Sequence, residues 1–217
     1  GRLTLKEATN VMRASLVLSV SFLIIGAMNL SDSITDGEVI VSATIWITAV
    51  FLLISYEGIR GSKGLKHRGL AGNVAIASAI GMDVLFGASS VSGTTDPKVI
   101  SLAVMAILLS LARELIKDIE DMEGDIGRNT LPRKIGVDNA RSIAWIFTLA
   151  AFISLFLPFI LEVFPTEHAI LVAPGGLLLM LVKSKLFVGE DRAAQYLIKR
   201  SLQVSMIGVI ASAVIIG

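Results

Sequence analysis

The sequence predicts an all-α fold, a polytopic bundle of transmembrane helices. Two bulk observations and one pattern point there. Apolar residues make up 54% of the 217 residues and charged residues only 17%, against about 25% charged in an ordinary soluble domain. The mean hydropathy is +0.78. The pattern is seven separate stretches near the length of about 20 mostly apolar residues that a helix needs to cross the hydrocarbon core. A single soluble core of this size cannot hide that much apolar surface, whereas a bilayer accepts it. The net charge of +1 gives no electrostatic case for nucleic-acid binding. Cysteine is absent, which excludes disulfides, zinc–thiolate centres and thiol nucleophiles.

The predicted spans run Ser15–Leu30, Val39–Tyr56, Leu70–Val91, Val99–Ile116, Ile143–Phe164, Ala169–Val188 and Leu202–Gly217. The first is short unless its helix starts near Asn10. It does not read as a removable signal, because six more spans follow and no small-residue cleavage site stands out. The third carries Gly72, Ala75, Ala77, Ala79 and Gly81, small residues that let helices pack closely. It also carries Asp83, whose ionised form is costly inside a membrane. That residue either faces a cavity or stays protonated and bonds a neighbouring helix. The sixth contains Pro174-Gly175-Gly176, a signal for a kink or a close helix contact.

The connections sort by charge. Every Lys and Arg except Lys98 falls in residues 1–14, 57–69, 113–142 or 183–201. The positive-inside rule puts those segments in the cytoplasm, with the N-terminal side cytoplasmic and the C-terminus outside. The opposite connections are short and acidic, with Asp32, Asp36, Glu38, Asp96, Glu162 and Glu167. His67 and His168 read as surface residues.

The fourth span runs out into a carboxylate-rich helix end. Turning 100° per residue, Glu114, Asp118, Asp121 and Asp125 share a stripe roughly 60° wide, while Glu120 and Glu123 point elsewhere. Like charges at such spacing destabilise a helix, so something positive should compensate. Magnesium fits, since it takes hard oxygen ligands, commonly one or two carboxylates plus phosphate oxygens and water. The bland alternative is a solvated helix end with lysine neighbours. Arg113 and Glu114 sit at the membrane boundary, where charge is expensive and usually functional. The other long basic connection holds Tyr56, Arg60, Lys63, Lys66, His67 and Arg68. These can grip phosphate oxygens, or serve only as topology determinants. A lipid diphosphate, with its head on the stripe and its tail between helices, unites the two segments.

The run Arg113-Glu-Leu-Ile-Lys-Asp118-Ile-Glu-Asp121-Met-Glu-Gly-Asp125, followed by Thr130-Leu-Pro132 and Ile135-Gly136, resembles the second aspartate-rich motif of the UbiA family of membrane prenyltransferases, in its archaeal branch. Supporting pieces are Gly1–Ala8, Tyr56 with Lys66, Gly69-Leu70-Ala71-Gly72-Asn73, and Ala194-Gln195 with Lys199. The resemblance implies nine helices with the second motif on the sixth. The seven spans here carry it on the fourth, so the whole chain reads as a single UbiA-like domain lacking the first two helices and the first Asn/Asp-rich motif. On that reading, this piece alone is inactive.

For the archaeal branch the resemblance implies magnesium-dependent transfer of a geranylgeranyl group from its diphosphate to geranylgeranylglyceryl phosphate, in ether-lipid synthesis at the cell membrane. It implies Asp118, Asp121 and Asp125 as the metal–diphosphate residues, with Glu114 in support. Lys66, Arg68, Lys117, Tyr56, Arg113 and Asn73 become substrate-binding candidates. A quinone-pathway enzyme with an aromatic acceptor is the nearest alternative. A transporter predicts repeated halves with broken helices near the midplane; no repeat is visible, and the acids lie at one surface.

Overall fold

A computed structural model describes residues 4–30, 36–58, 63–89, 96–124 and 127–216. All seven predicted spans are helices: α1 (Leu5–Leu30), α2 (Asp36–Glu57), α3 (Leu70–Ser89), α4 (Pro97–Glu120), α6 (Val137–Ile160), α7 (Ala169–Val188) and α8 (Asp191–Ile216). A short α5 (Leu131–Ile135) and two single 3-10 turns, Leu65–His67 and Thr166–His168, complete the described elements. All seven long helices are long and apolar enough to cross a membrane. Several extend past the hydrophobic runs. The helix containing the last span begins at Asp191, about three turns before Leu202, because hydrophobicity marks only the part in lipid while the polar first turns stay helical.

α4 is the hub. Its start is well defined: Pro97 takes a first-turn position where its missing N–H costs nothing, and the Asp96 carboxylate accepts from the Lys98 amide at 2.8 Å. One side of α4 packs on α6 and α8, and another on α3. Leu109, Leu115 and Ile116 of α4 meet Leu155 and Phe159 of α6, Leu179 and Leu186 of α7, and Ile198 of α8 in a continuous core. The α7–α8 pair is the tightest. Ser201 Oγ of α8 donates to the Gly175 carbonyl at 2.8 Å. A Cβ at Gly175 would lie 2.1 Å from Ser205 Oγ, so the glycine is what lets the helices touch. Pro174-Gly175-Gly176 thus marks a helix contact. The small residues of α3 behave likewise: Gly72, Ala75, Ala77, Ala79 and Gly81 are all buried.

α2 packs on α3, away from the hub. α1 stands at the edge, nearly all exposed, with Trp46 Nε1 of α2 donating to Ser19 Oγ at 2.8 Å. The basic connections after α2, α4 and α7 collect at one end of the bundle, joined by the contacts set out below. Lys98 lies at the other end, over the Phe164 ring. Asp83 is exposed on α3 and has no hydrogen-bond partner among the described residues. His168 is not a free surface group, since its Nδ1 pairs with the buried Ser212 Oγ at 2.8 Å.

Candidate active site

The basic end of the bundle is built around one buried carboxylate. Asp118, in the last turn of α4, is only 7% exposed. Asn73, in the first turn of α3 and equally buried, donates Nδ2 to Asp118 Oδ2 at 3.0 Å. The charges of Arg128, Lys117 and Glu114 also act on it. The location is unfavourable twice over. Burying an ionised carboxylate is expensive unless it is bonded, and the C-terminus of a helix carries negative partial charge. Neighbouring cations answer both costs. Lys117 Nζ pairs with Asp121 at 3.3 Å, and Arg113 Nη1 with Glu114 at 2.6 Å.

The helical stripe drawn from sequence needs correcting here. α4 ends at Glu120; Asp121 is its C-cap, and residues 121–124 form a turn. The like charges and the unfavourable dipole are reason enough for the helix to stop, and Gly124 follows directly. Glu114 and Asp118 keep their shared face and Asp121 stays close to it, but the helix does not carry the stripe on toward Asp125. Asp125 lies outside the described residues, as does Arg60. Among the described residues, no three carboxylate or imidazole groups converge as a ready metal site. Two carboxylates of suitable hardness, Asp118 and Asp121, remain within one turn of each other.

The second basic connection closes over this end. Residues 64–69 fold back on the start of α3 through the Leu65–His67 turn. Lys66 Nζ pairs with Glu57 Oε1 at 2.5 Å, and its carbonyl accepts from Arg128 Nη2 at 3.5 Å. Arg133 donates to the Met122 carbonyl, tying α5 to the turn after α4. Tyr56, at the end of α2, lies within electrostatic reach of Lys117. Arg68 is exposed. Asn73, read from sequence as a substrate contact, bonds to Asp118 in the structure.

Two residues gain weight beyond their place in the sequence reading. Arg128 donates to the Lys66 carbonyl and its charge acts on Asp118, joining the two connections. Its proximity to Thr130 in a loop already marked as functional was the available signal, but only the fold shows what it faces. Thr130 is 1% exposed, and its Oγ1 has no hydrogen-bond partner among the described residues; His67 Nδ1 is also buried without one. Buried polar atoms are rarely left so, and both lie in the segments flanking Asp118.

A cleft of 860 Å³ lies on the other side of the α4 terminus, lined by Glu120, Glu123, Arg141, Lys185, Arg192 and Tyr196 among others. Most of its charges are paired with one another. Arg141 makes two hydrogen bonds to Asp191, at 3.1 and 2.7 Å, Lys185 pairs with Glu190 at 2.8 Å, and Arg192 with Glu120 at 4.0 Å. These pairs hold α4, α6, α7 and α8 together at this end. Glu120 points away from the Asp118 face, as the helical angles require, and Glu123, beyond the helix, lines the same cleft.

Comparison with known proteins gives the chain its family. A model of the "UbiA prenyltransferase family" matches residues 1–204. A digeranylgeranylglyceryl phosphate synthase of Haloquadratum walsbyi is 34% identical over 172 residues, covering 78% of this chain and 56% of that protein. The synthase of the same name from Halobacterium salinarum is 31% identical over 179 residues, covering 81% of this chain and 64% of that protein. The chain therefore spans less than two thirds of the length of these curated relatives. A solved structure, described as giving structural and mechanistic insights into digeranylgeranylglyceryl phosphate synthase in membranes, is similar over 98% of this chain and 70% of its own. The TM-score there is 0.65 and the identity 28%.

Proposed function

Since the chain belongs to the UbiA prenyltransferase family, we propose that its basic end binds a prenyl diphosphate and serves prenyl transfer to a lipid acceptor. The donor is a geranylgeranyl diphosphate and the acceptor a geranylgeranylglyceryl phosphate, as the names of the relatives suggest. The observation that carries this reading is the buried Asp118, bonded by Asn73 and surrounded by Arg128, Lys117 and Glu114. A buried acid among cations at a membrane surface suits a ligand that brings both charges, a phosphate group with its divalent ion.

The donor set fits magnesium. Asp118 and Asp121 offer hard oxygens within one turn, and magnesium needs only one or two carboxylates beside phosphate and water. Asp125 and Glu114 are the further candidates. When bound, the ion supplies charge neutralisation at the departing diphosphate.

The rest falls to the chain. Lys117 and Arg113 pair with Asp121 and Glu114, and each would turn to a phosphate oxygen if those carboxylates held the ion. Lys66 exchanges Glu57 for phosphate in the same way, while Arg68 and Tyr56 line the approach. In the reaction, the allylic C–O bond to diphosphate breaks and its electron pair leaves with the diphosphate. The acceptor hydroxyl forms a new C–O ether bond, and its proton is released toward the diphosphate or water. Fixed positive groups facing the leaving oxygens stabilise the charge as it develops. The apolar helices around the tail keep water from the allylic cation. This end faces the cytoplasm, by the excess of Lys and Arg in its connections.

The test is magnesium-dependent diphosphate release by the intact gene product from geranylgeranyl diphosphate and geranylgeranylglyceryl phosphate. Asp118→Asn should abolish it while leaving the helical fold intact. Unchanged turnover would end the assignment of this end as the active site.

A further inference from the structure

One face of α8 is not used by the bundle. Its buried residues, among them Ala194, Ile198, Ser201 and Ser205, pack toward α7 and α4. Turning 100° per residue, Arg192, Tyr196, Lys199, Arg200, Met206, Ile207 and Ile210 fall in a sector about 120° wide on the opposite side. All seven are exposed. The first four are polar or charged and the last three apolar, so the face changes character between Arg200 and Met206.

The polar half is cationic. From Arg192 to Ile216, α8 holds Arg192, Lys199 and Arg200 and no acid. Its one acid, Asp191, is off this face and bonded to Arg141 of α6. The Arg192 side chain is 92% exposed and meets Glu120 only at 4.0 Å. Lys199 Nζ has no ion pair among the described residues. Arg200 is held in place: its Nε donates to Tyr196 Oη at 2.7 Å, and its guanidinium stands 5.0 Å from the centre of the Tyr196 ring. Its Nη1 reaches Gln203 Oε1 at 3.4 Å, so the fork of donors stays open to phosphate oxygens. Lys199 and Arg200 precede the predicted hydrocarbon at Leu202 by less than one turn, the level of lipid phosphates. Met206, Ile207 and Ile210 lie about 9–15 Å further along the axis, within the roughly 15 Å half-thickness of the hydrocarbon core.

We propose that this face of α8 binds an anionic phospholipid from the leaflet at the basic end. Its phosphate lies on Lys199 and Arg200, with Arg192 toward the headgroup and one hydrocarbon chain along Met206, Ile207 and Ile210. Charge complementarity selects the occupant: three cations with no acid among them call for an anion, and the apolar continuation calls for a chain attached to it. The neighbouring cleft borders this face at Arg192 and Tyr196, but its α4 side carries Glu120 and Glu123, which confines a phosphate to α8. The cations also satisfy the positive-inside rule. A role in topology needs only their charge, whereas a lipid site needs their common face. The inference is independent of the prenyl-diphosphate reading.

The experiment titrates the intact gene product, in neutral detergent, with phosphatidylglycerol or phosphatidylcholine and counts bound lipid by native mass spectrometry. The wild type should retain one phosphatidylglycerol about tenfold or more tightly than phosphatidylcholine. Arg192→Gln, Lys199→Gln and Arg200→Gln should each weaken that binding about fivefold, the scale expected per cation at an anionic surface. The double variant Lys63→Gln with Lys134→Gln removes as much charge from the same end as Lys199→Gln with Arg200→Gln, and should leave the affinity unchanged. Equal losses in the two doubles overturn the inference, because net charge alone then attracts the lipid; equal retention of phosphatidylcholine overturns it too. Should the α8 variants fail to insert, the wild type in nanodiscs decides, using phosphatidylglycerol with a photoreactive group in mid-chain. Labelling concentrated at Met206, Ile207 or Ile210 supports the site. Labelling spread evenly over the helices, or absent from this face because another helix covers it, overturns it.

Discussion

Replacing Asn73 by alanine isolates the contact on which the site is built. The bond from Asn73 Nδ2 to Asp118 Oδ2 is 3.0 Å long, and both residues are more than nine-tenths buried. A hydrogen bond to a charged group is worth about 1.5–3 kcal/mol. At 1.36 kcal/mol per factor of ten, that is about 10- to 150-fold in whichever equilibrium depends on Asp118. The range overlaps the roughly 10- to 100-fold losses seen when a residue orienting a metal ligand is removed. The assay is diphosphate release titrated with magnesium. Asn73→Ala should raise the magnesium concentration at half-saturation, or lower kcat, within that range. A purely structural role would lower thermal stability without moving the magnesium curve. If Asn73 acts through Asp118, then in an Asp118→Asn background, where release is already lost, its removal should change magnesium affinity, read by calorimetry, by less than about 0.5 kcal/mol, since the two changes are no longer independent. A magnesium curve within twofold of wild type would refute the reasoning, as would an effect undiminished in the Asp118→Asn background.

Other consequences follow from the same geometry. Asp121→Asn releases Lys117 from its pair and should weaken magnesium binding less than Asp118→Asn does, because Asp121 is half exposed; equal losses in a titration would place Asp121 at the centre instead. Gly175→Val drives a side chain into Ser205 and should destabilise the bundle by about 1–3 kcal/mol. Thermal unfolding in detergent reads that, and an unchanged midpoint would deny the close α7–α8 contact. Asp191→Asn leaves Arg141 with only the exposed Asp138, 3.6 Å away, as its acidic partner and should cost about 1.5–3 kcal/mol; a silent substitution would mean solvent already reaches that pair.

Most of the architecture was legible because lipid imposes a simple rule on sequence. A span must be apolar for its whole crossing, so α2, α4 and α7 lie close to their hydrophobic runs. What hydrophobicity does not encode is where helices continue outside lipid, hence the earlier starts of α6 at Val137 and α8 at Asp191. Helical periodicity found Asp118 and Glu114 and separated Glu120, because one helix holds all three. It failed past Asp121, where the geometry ceased to be helical while the arithmetic went on. It was also silent on partners from elsewhere. Asn73 and Asp118 lie 45 residues apart, and Arg128 reaches both Lys66 and Asp118 only because two connections fold onto one another. The residues were visible in sequence as chemical types; their pairing belongs to the packing of α3 against α4.

That pairing has a consequence for how the site fills. The cations near Asp118 have acidic partners of their own: Lys117 with Asp121, Arg113 with Glu114, Lys66 with Glu57. Magnesium alone must compete with lysine and arginine for the carboxylates. Diphosphate alone must compete with the carboxylates for lysine and arginine. Arriving together, they replace each internal pair with two external ones, and no charge is stranded in a half-buried site. Each ligand should therefore raise the affinity of the other, and by linkage by the same factor. Coupling energies of this kind commonly run to about 1–3 kcal/mol, or 5- to 150-fold. Calorimetry on the intact gene product can measure magnesium binding with and without a non-hydrolysable prenyl diphosphate analogue, and then the reverse. Correction for complexation of the two ligands in solution isolates the coupling in the protein. Lys117→Met should reduce the coupling, because Asp121 then waits unpaired for the ion whether or not the phosphate is present. Independent binding of the two ligands after that correction would mean that the internal pairs survive occupancy, and that the cations around Asp118 hold the fold together without exchanging partners.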